Sequence, residues 1–93
     1  MEATIKQGLL IREIAGERIL IDASGEVDFS HMTMLNDTAA SIITYLQKAG
    51  HASAEDLAKH VADEYDVSYS EALADVEELL LKMEKEGIVR VRR

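Results

Sequence analysis

Apolar positions along the chain change their period near residue 36. Before it, Leu9, Leu10, Ile11 and Ile14, then Ile19, Leu20 and Ile21, form two short runs rich in aliphatic and β-branched residues. Ala15, Gly16 and Glu17 separate them, with a glycine free to take positive φ. The spacing predicts an antiparallel hairpin of residues 9–14 and 18–21. A second turn at Ser24, Gly25 and Glu26 leaves room for a third extended segment within residues 27–35. There Met32 and Met34 alternate around Thr33 with a period of two.

After residue 36 the period becomes helical. Asn36 stands where an N-cap belongs, and Ala39, Ala40, Ile42, Ile43 and Leu46 follow at helical spacing up to Gly50. Ser53 with Asp56 three residues on resembles a capping box and opens a second helix through Leu57, Ala58, Val61 and Ala62 to about Tyr65. Ser68 with Glu71 is a better capping box. It opens a third helix carrying Ala72, Leu73, Val76, Leu79, Leu80 and Met83, with Gly87 as its C′ residue. Ile88, Val89 and Val91 alternate weakly and predict a short terminal strand or extended tail. The fold class expected is α+β: a small three-stranded antiparallel sheet followed by three helices. A small sheet with one apolar face needs the helices to cover it, so residues 1–93 are expected to form a single domain.

Composition narrows the function classes. There is no cysteine, which excludes a disulfide framework, a thiolate zinc site and a cysteine nucleophile, and fits a reducing, cytoplasmic setting. No uninterrupted apolar run exceeds three residues, so no membrane span is expected. The first residues lack a basic stretch followed by an apolar one, so no signal peptide is expected.

Eighteen acidic residues against ten basic give a net charge of −8. Three helices and a terminal strand invite a winged-helix reading, in which the chain is a regulator binding DNA or a protein. Between Gly50 and Leu80, however, Lys59 is the lone base against nine acids. Such a recognition helix brings carboxylates to phosphates, so no nucleic-acid partner is expected. Arg90, Arg92 and Arg93 make a small basic tail.

Catalytic patterns are missing. No serine lies in a G-x-S-x-G turn, and the glycines fit neither a dinucleotide nor a phosphate loop. Adjacent acids such as Asp63 with Glu64, or Glu77 with Glu78, point about 100° apart on a helix and cannot work as a pair. Of His31, His51 and His60, only His60 has a carboxylate singled out at helical spacing, Asp56. That pair reads as solvated surface. The chain is expected to be no enzyme, with no cofactor and no metal.

The residues then resemble a known family. A glycine-turned hairpin comes first, followed by a strand ending in Leu35 and Asn36 and a helix with Ala39 and Ile42. Farther on stand Glu64, Tyr65, Asp66 and Val67 before the third helix, Asp75 and Val76, Leu79 and Leu80, and Gly87 with Ile88. In order and spacing, from residue 9 to residue 91, this is similar to the PqqD family. The resemblance implies a winged-helix-like scaffold that binds the leader segment of a ribosomally made precursor peptide and presents it to a modifying enzyme, often a radical-SAM enzyme. It implies that the leader adds to the edge of the third strand and lies against the third helix.

The residues support that site in part. His31, Met32, Thr33 and Met34 contain no proline and no charge at neutral pH, so nothing blocks the edge for strand addition. Methionine suits a surface that repacks around a ligand; the plain alternative is that Met32 and Met34 are core, alternation allowing only one face of the strand to be buried. On the third helix, with Val76 taken as the centre of the apolar stripe, helical spacing puts Leu80 and then Leu73 to one side of it. Met83 and then Leu79 fall to the other side. A stripe about 120° wide can fill the core on one side and line a groove on the other; the helical wheel does not say which edge does which. The expected groove residues are Leu73, Val76 and Leu80, with Glu77 on the rim. Leu81 falls off the stripe, where a lone exposed leucine is ordinary; the alternative is a contact with a partner enzyme or a second copy, and an open strand edge can also pair two copies as a homodimer. Against this peptide-binding reading stands an obligate structural subunit with no peptide ligand.

Overall fold

The computed structural model describes residues 1–22 and 33–93. Its elements run β1 (Glu2–Ile5), β2 (Leu9–Ile14), β3 (Glu17–Asp22), β4 (Thr33–Leu35), α1 (Asp37–Ala49), β5 (His51–Ser53), α2 (Ala54–Tyr65), α3 (Tyr69–Lys85) and β6 (Val89–Arg92). The expected three-stranded antiparallel sheet is present as β2-β3-β4. A second antiparallel sheet, β5-β1-β6, was not expected. It forms because Ala3 and Ile5 of β1 meet Ala52 of β5 and Val89 and Val91 of β6 on one buried face. The terminal segment after Gly87 is therefore a strand. The second predicted turn at Ser24 and Gly25, and the positions His31 and Met32, lie outside the described residues.

The hairpin turn is tighter than its sequence suggested. Glu17 belongs to β3 and pairs with Ile14, leaving Ala15 and Gly16 as a two-residue loop. Both have positive φ, 53° and 81°. This is the primed turn geometry that matches the twist of the flanking strands, and it places an alanine in a region where glycine or asparagine is the usual occupant.

All three predicted N-caps are made. Asn36 Oδ1 accepts from the Ala39 N–H at 2.8 Å, Ser53 Oγ from Asp56 at 3.0 Å and Ser68 Oγ from Glu71 at 3.3 Å. At the end of α3, Gly87 (φ 77°) turns the chain; its N–H reaches the Glu84 carbonyl and the Ile88 N–H reaches the Met83 carbonyl. That pair of bonds is a Schellman closure, and the buried Ile88 and Met83 supply its apolar contact.

The core gathers Leu9 and Leu20 from the first sheet, Ile42, Ile43 and Leu46 from α1, Leu57 and Val61 from α2, and Val76, Leu80 and Met83 from α3. Among the described residues no polar or charged side chain is buried. No described helix is long and apolar enough to cross a membrane.

Candidate peptide-binding site

Hydrogen-bond phase fixes which main-chain groups of the first sheet face outward. Ile14 and Glu17 close a two-residue turn and so form a hydrogen-bonded pair. Alternation then directs Leu10, Arg12 and Ile14 of β2 toward β3, and Leu9, Ile11 and Glu13 away from it. On the other side of β3, Arg18 pairs with Leu35 and Leu20 with Thr33. By the same alternation these are the bonded pairs, and Met34 presents its N–H and C=O to the free edge of β4. Among the described residues no strand pairs with that edge.

Beside β4 lies a pocket of about 70 Å³, lined by Leu35, Ala39, Leu79, Lys82, Met83 and Glu86 among others. Its floor is apolar: Ala39 and Met83 are buried, and Leu35 and Leu79 are half-buried. Lys82 and Glu86, exposed and one helical turn apart, form its charged rim. An apolar side chain of an added strand has somewhere to go, and polar neighbours have partners at the mouth.

The expected helix positions divide differently. Val76 and Leu80 are 0% exposed and belong to the core, so a ligand does not reach them in this structure. Leu73 is half-buried against the core, and Glu77 is half-buried. The reason is angular. Starting from Val76, the pocket residues Met83, Leu79, Glu86 and Lys82 lie progressively farther round one flank of α3, whereas Leu73 and Glu77 lie on the other. Glu84 shares the flank of Leu73 and Glu77. It pairs with Arg93 just past β6 at 3.2 Å, which shows which element that flank faces. The centre of the stripe fills the core, Leu79 lines the pocket together with Leu35 of β4, and Glu84 on the opposite flank reaches the residue just past β6. Thr33 and Met34 do lie in β4. Leu81 is exposed, as expected.

A polar cluster escaped the sequence reading. His60 pairs with Glu64, four residues after it, at 3.1 Å, rather than with Asp56 four before; the Asp56 N–H is held by the Ser53 cap. Ser41 on α1 lies 2.8 Å from His60 Nε2 and donates to Glu64 at 2.6 Å, and Tyr45 packs on the imidazole with ring centres 5.0 Å apart. Serine, histidine and glutamate invite a relay reading, but both oxygens meet the same ring nitrogen. A relay needs the carboxylate on the other nitrogen, where it can orient the ring while Nε2 takes the serine proton. This cluster ties α1 to α2. The i,i+4 spacing of His60 and Glu64 was readable; Ser41, nineteen residues from His60, was not.

Close by, burial raises the phenol of Tyr65 above its ordinary value, and the Glu64 and Asp37 carboxylates push it the same way. Among the described residues no group of three or more His, Cys, Asp or Glu is placed to hold a metal ion.

A solved structure, "Lasso peptide synthetase B1 complexed with the leader peptide", superimposes on this chain with a TM-score of 0.70. The two are 26% identical, and the likeness covers 98% of this chain and all of that one. No curated protein matches the chain. The family model described as "Coenzyme PQQ synthesis protein D (PqqD)" matches residues 17–89, from the start of β3 into β6 and including β4 and all three helices. With more than three-quarters of its length matched, the chain belongs to the PqqD family.

Proposed function

We propose that this chain binds the leader segment of a ribosomally made precursor peptide as an added strand on β4 and presents it to a peptide-modifying enzyme, a radical-SAM enzyme being the first candidate. The observation that carries the reading is the open edge of β4 at Met34, running beside an apolar pocket with a charged rim. Main-chain bonds to an edge supply affinity, and pockets for alternate side chains supply specificity. The leader-bound lasso peptide protein, alike over nearly the whole chain, supports the same use of the fold. The site comprises Met34 and Thr33, the preceding His31 and Met32, and Leu79, Lys82, Met83 and Glu86 of α3. In this reading the module is a binder and not a catalyst, and the Ser41–His60–Glu64 cluster, with both oxygens on one ring nitrogen, does not have the geometry of a relay. The many carboxylates exposed on α2 and α3 favour a peptide over a phosphate backbone.

Amide chemical-shift mapping with the cognate leader tests this. Shifts are expected at β4 and along the Leu79 edge of α3. Met34→Pro removes an outward donor and should weaken binding about tenfold or more. Thr33→Pro acts differently, because the Thr33 N–H faces β3; it should lower stability as well as affinity. Shifts confined to α2 or β6 would sink the assignment.

A further inference from the structure

The molecule has a second groove, larger than the first and on the opposite edge of the same sheet. It encloses about 680 Å³ between Leu9, Leu10 and Ile11 of β2 on one wall and helices α1 and α2 on the other. Successive side chains of a strand point to opposite faces, so three residues in a row on one wall mean that the groove follows the main chain. Ile11 presents its N–H and C=O there. The outward carbonyl of Leu9 already accepts from the Gln47 side-chain amide at 2.9 Å, the bond that the N–H of an added strand would make.

Charge selects the occupant. Within the groove Arg18 is held by Asp37 at 3.0 Å, and Glu64 is held by Ser41 and His60. Lys48, exposed in the last turn of α1 beside Gln47, is the lining charge left without a partner among the described residues. It stands at the Leu9 end of the groove.

We propose that this groove receives an extended segment of the peptide-modifying enzyme as an added strand on β2, with a carboxylate side chain of that segment on Lys48. The proposal rests on the leader-binding reading of β4. A module that presents a leader must hold the leader and the enzyme together, so the enzyme's contact has to leave β4 free. β2 is the other edge of that sheet, two strand spacings or about 10 Å away. A second copy of the chain fits less well, since each carries a net charge of −8 and repels the other.

Two variants test the groove in the full chain. Thr44→Trp, at an exposed α1 position, obstructs it without touching the core. Lys48→Glu reverses its charge. Both should bind the leader as the wild type does. Association of the modifying enzyme with the leader-loaded chain should weaken about tenfold or more with Thr44→Trp and about fivefold with Lys48→Glu. Undiminished association with Thr44→Trp overturns the proposal, and so does a wild-type dimer that Thr44→Trp dissolves. If the leader fails to bind the wild type, it is the leader reading that falls, and the groove is tested alone. The probes are then two short blocked peptides of alternating valine and serine, one ending in aspartate and one in lysine. Amide shifts at residues 9–11 and Thr44, stronger with the aspartate peptide, support the groove; their absence refutes it.

Discussion

The two sheets of this molecule have the same number of strands and opposite surfaces. In β5-β1-β6 the outward positions Glu2, Thr4, His51, Arg90 and Arg92 are exposed and Ser53, the cap of α2, is half-buried, while the inward ones, Ala3, Ile5, Ala52, Val89 and Val91, are all buried. That is the clean alternation of an antiparallel sheet with one wet face. In β2-β3-β4 the core face takes Leu9 and Leu20, but the outward face carries Leu10 at 42% exposure, Ile14 at 52%, and the half-buried Ile19 and Ile21. Both edges of that sheet also lie beside grooves. One sheet therefore ties the two ends of the chain together, and the other keeps apolar surface and unpaired main chain available for partners. Four aliphatic side chains fall well short of the roughly 800 Å² per partner that a stable interface buries. They suit a transient contact that grows once a strand has been added.

The largest effect expected separates the sheets by stability. Ala3 is fully buried in the middle strand of the closing sheet. Ala3→Asp puts a carboxylate there with no partner and should cost about 4 kcal/mol or more, a large share of the roughly 5–15 kcal/mol that holds a small domain. The matching change on the other sheet, Leu10→Thr with Ile14→Thr, should move stability by only about 0.5 kcal/mol per site, since both side chains are already about half in water. Urea midpoints compare the two. If the double threonine variant proved as damaging as Ala3→Asp, the outward face of β2-β3-β4 would be structural and the division between the sheets would fail.

The next effect sharpens the comparison within α3. Leu80→Ala should destabilise by about 3 kcal/mol, because Leu80 is wholly buried and its removal leaves a cavity. Leu79→Ala, at the pocket edge, should cost about 1 kcal/mol in stability yet weaken leader binding about tenfold. Equal stability losses at the two neighbours would mean that the pocket beside β4 is closed core.

These two leucines also mark where sequence reasoning stops. The periodicity of α3, its capping box at Ser68 and its closure at Gly87 were all legible, because caps and apolar stripes are local. So was the β2-β3 hairpin. Which edge of the stripe meets β4 was not, because it depends on how α3 is rotated against elements more than forty residues away. Val76 and Leu80, expected in the groove, are wholly buried in the core. The β5-β1-β6 sheet was hidden for a related reason. Glu2–Ile5 and His51–Ser53, at four and three residues, are too short to announce strands, and the second holds no β-branched residue. They become strands because β6 and the helices offer them a buried face.

The smallest effect concerns the end of the β2 groove and is read in alkali. Tyr65 is half-buried where α2 ends, and its phenol is held above the ordinary value near 10 by burial first, then by the Glu64 and Asp37 carboxylates, against a smaller opposing pull from Arg18. These three charged groups all line the groove. In the unfolded chain the phenol ionises at its ordinary value, while in the folded chain it still keeps its proton there. The folded state then binds more protons than the unfolded one, so stability falls as pH rises. The contribution is complete below about pH 10 and disappears as pH climbs through the raised folded value. Tyr65→Phe should change stability at neutral pH by no more than about 1 kcal/mol, the worth of one partly exposed hydrogen bond. It should also flatten the alkaline decline. Thermal midpoints of both proteins, taken from about pH 9 to about pH 11, test this. The wild type should lose ground relative to the phenylalanine variant as alkali increases, and parallel curves would show that neither burial nor the carboxylates hold the folded phenol above its ordinary value. Because every other group is common to both proteins, only the difference between the curves reports on Tyr65. A second comparison, with Asp37→Asn in both backgrounds, separates the carboxylate's share from that of burial. Removing Asp37 should lower the folded value of the phenol and bring the wild-type curve part of the way toward the variant, while leaving the variant's own alkaline slope unchanged.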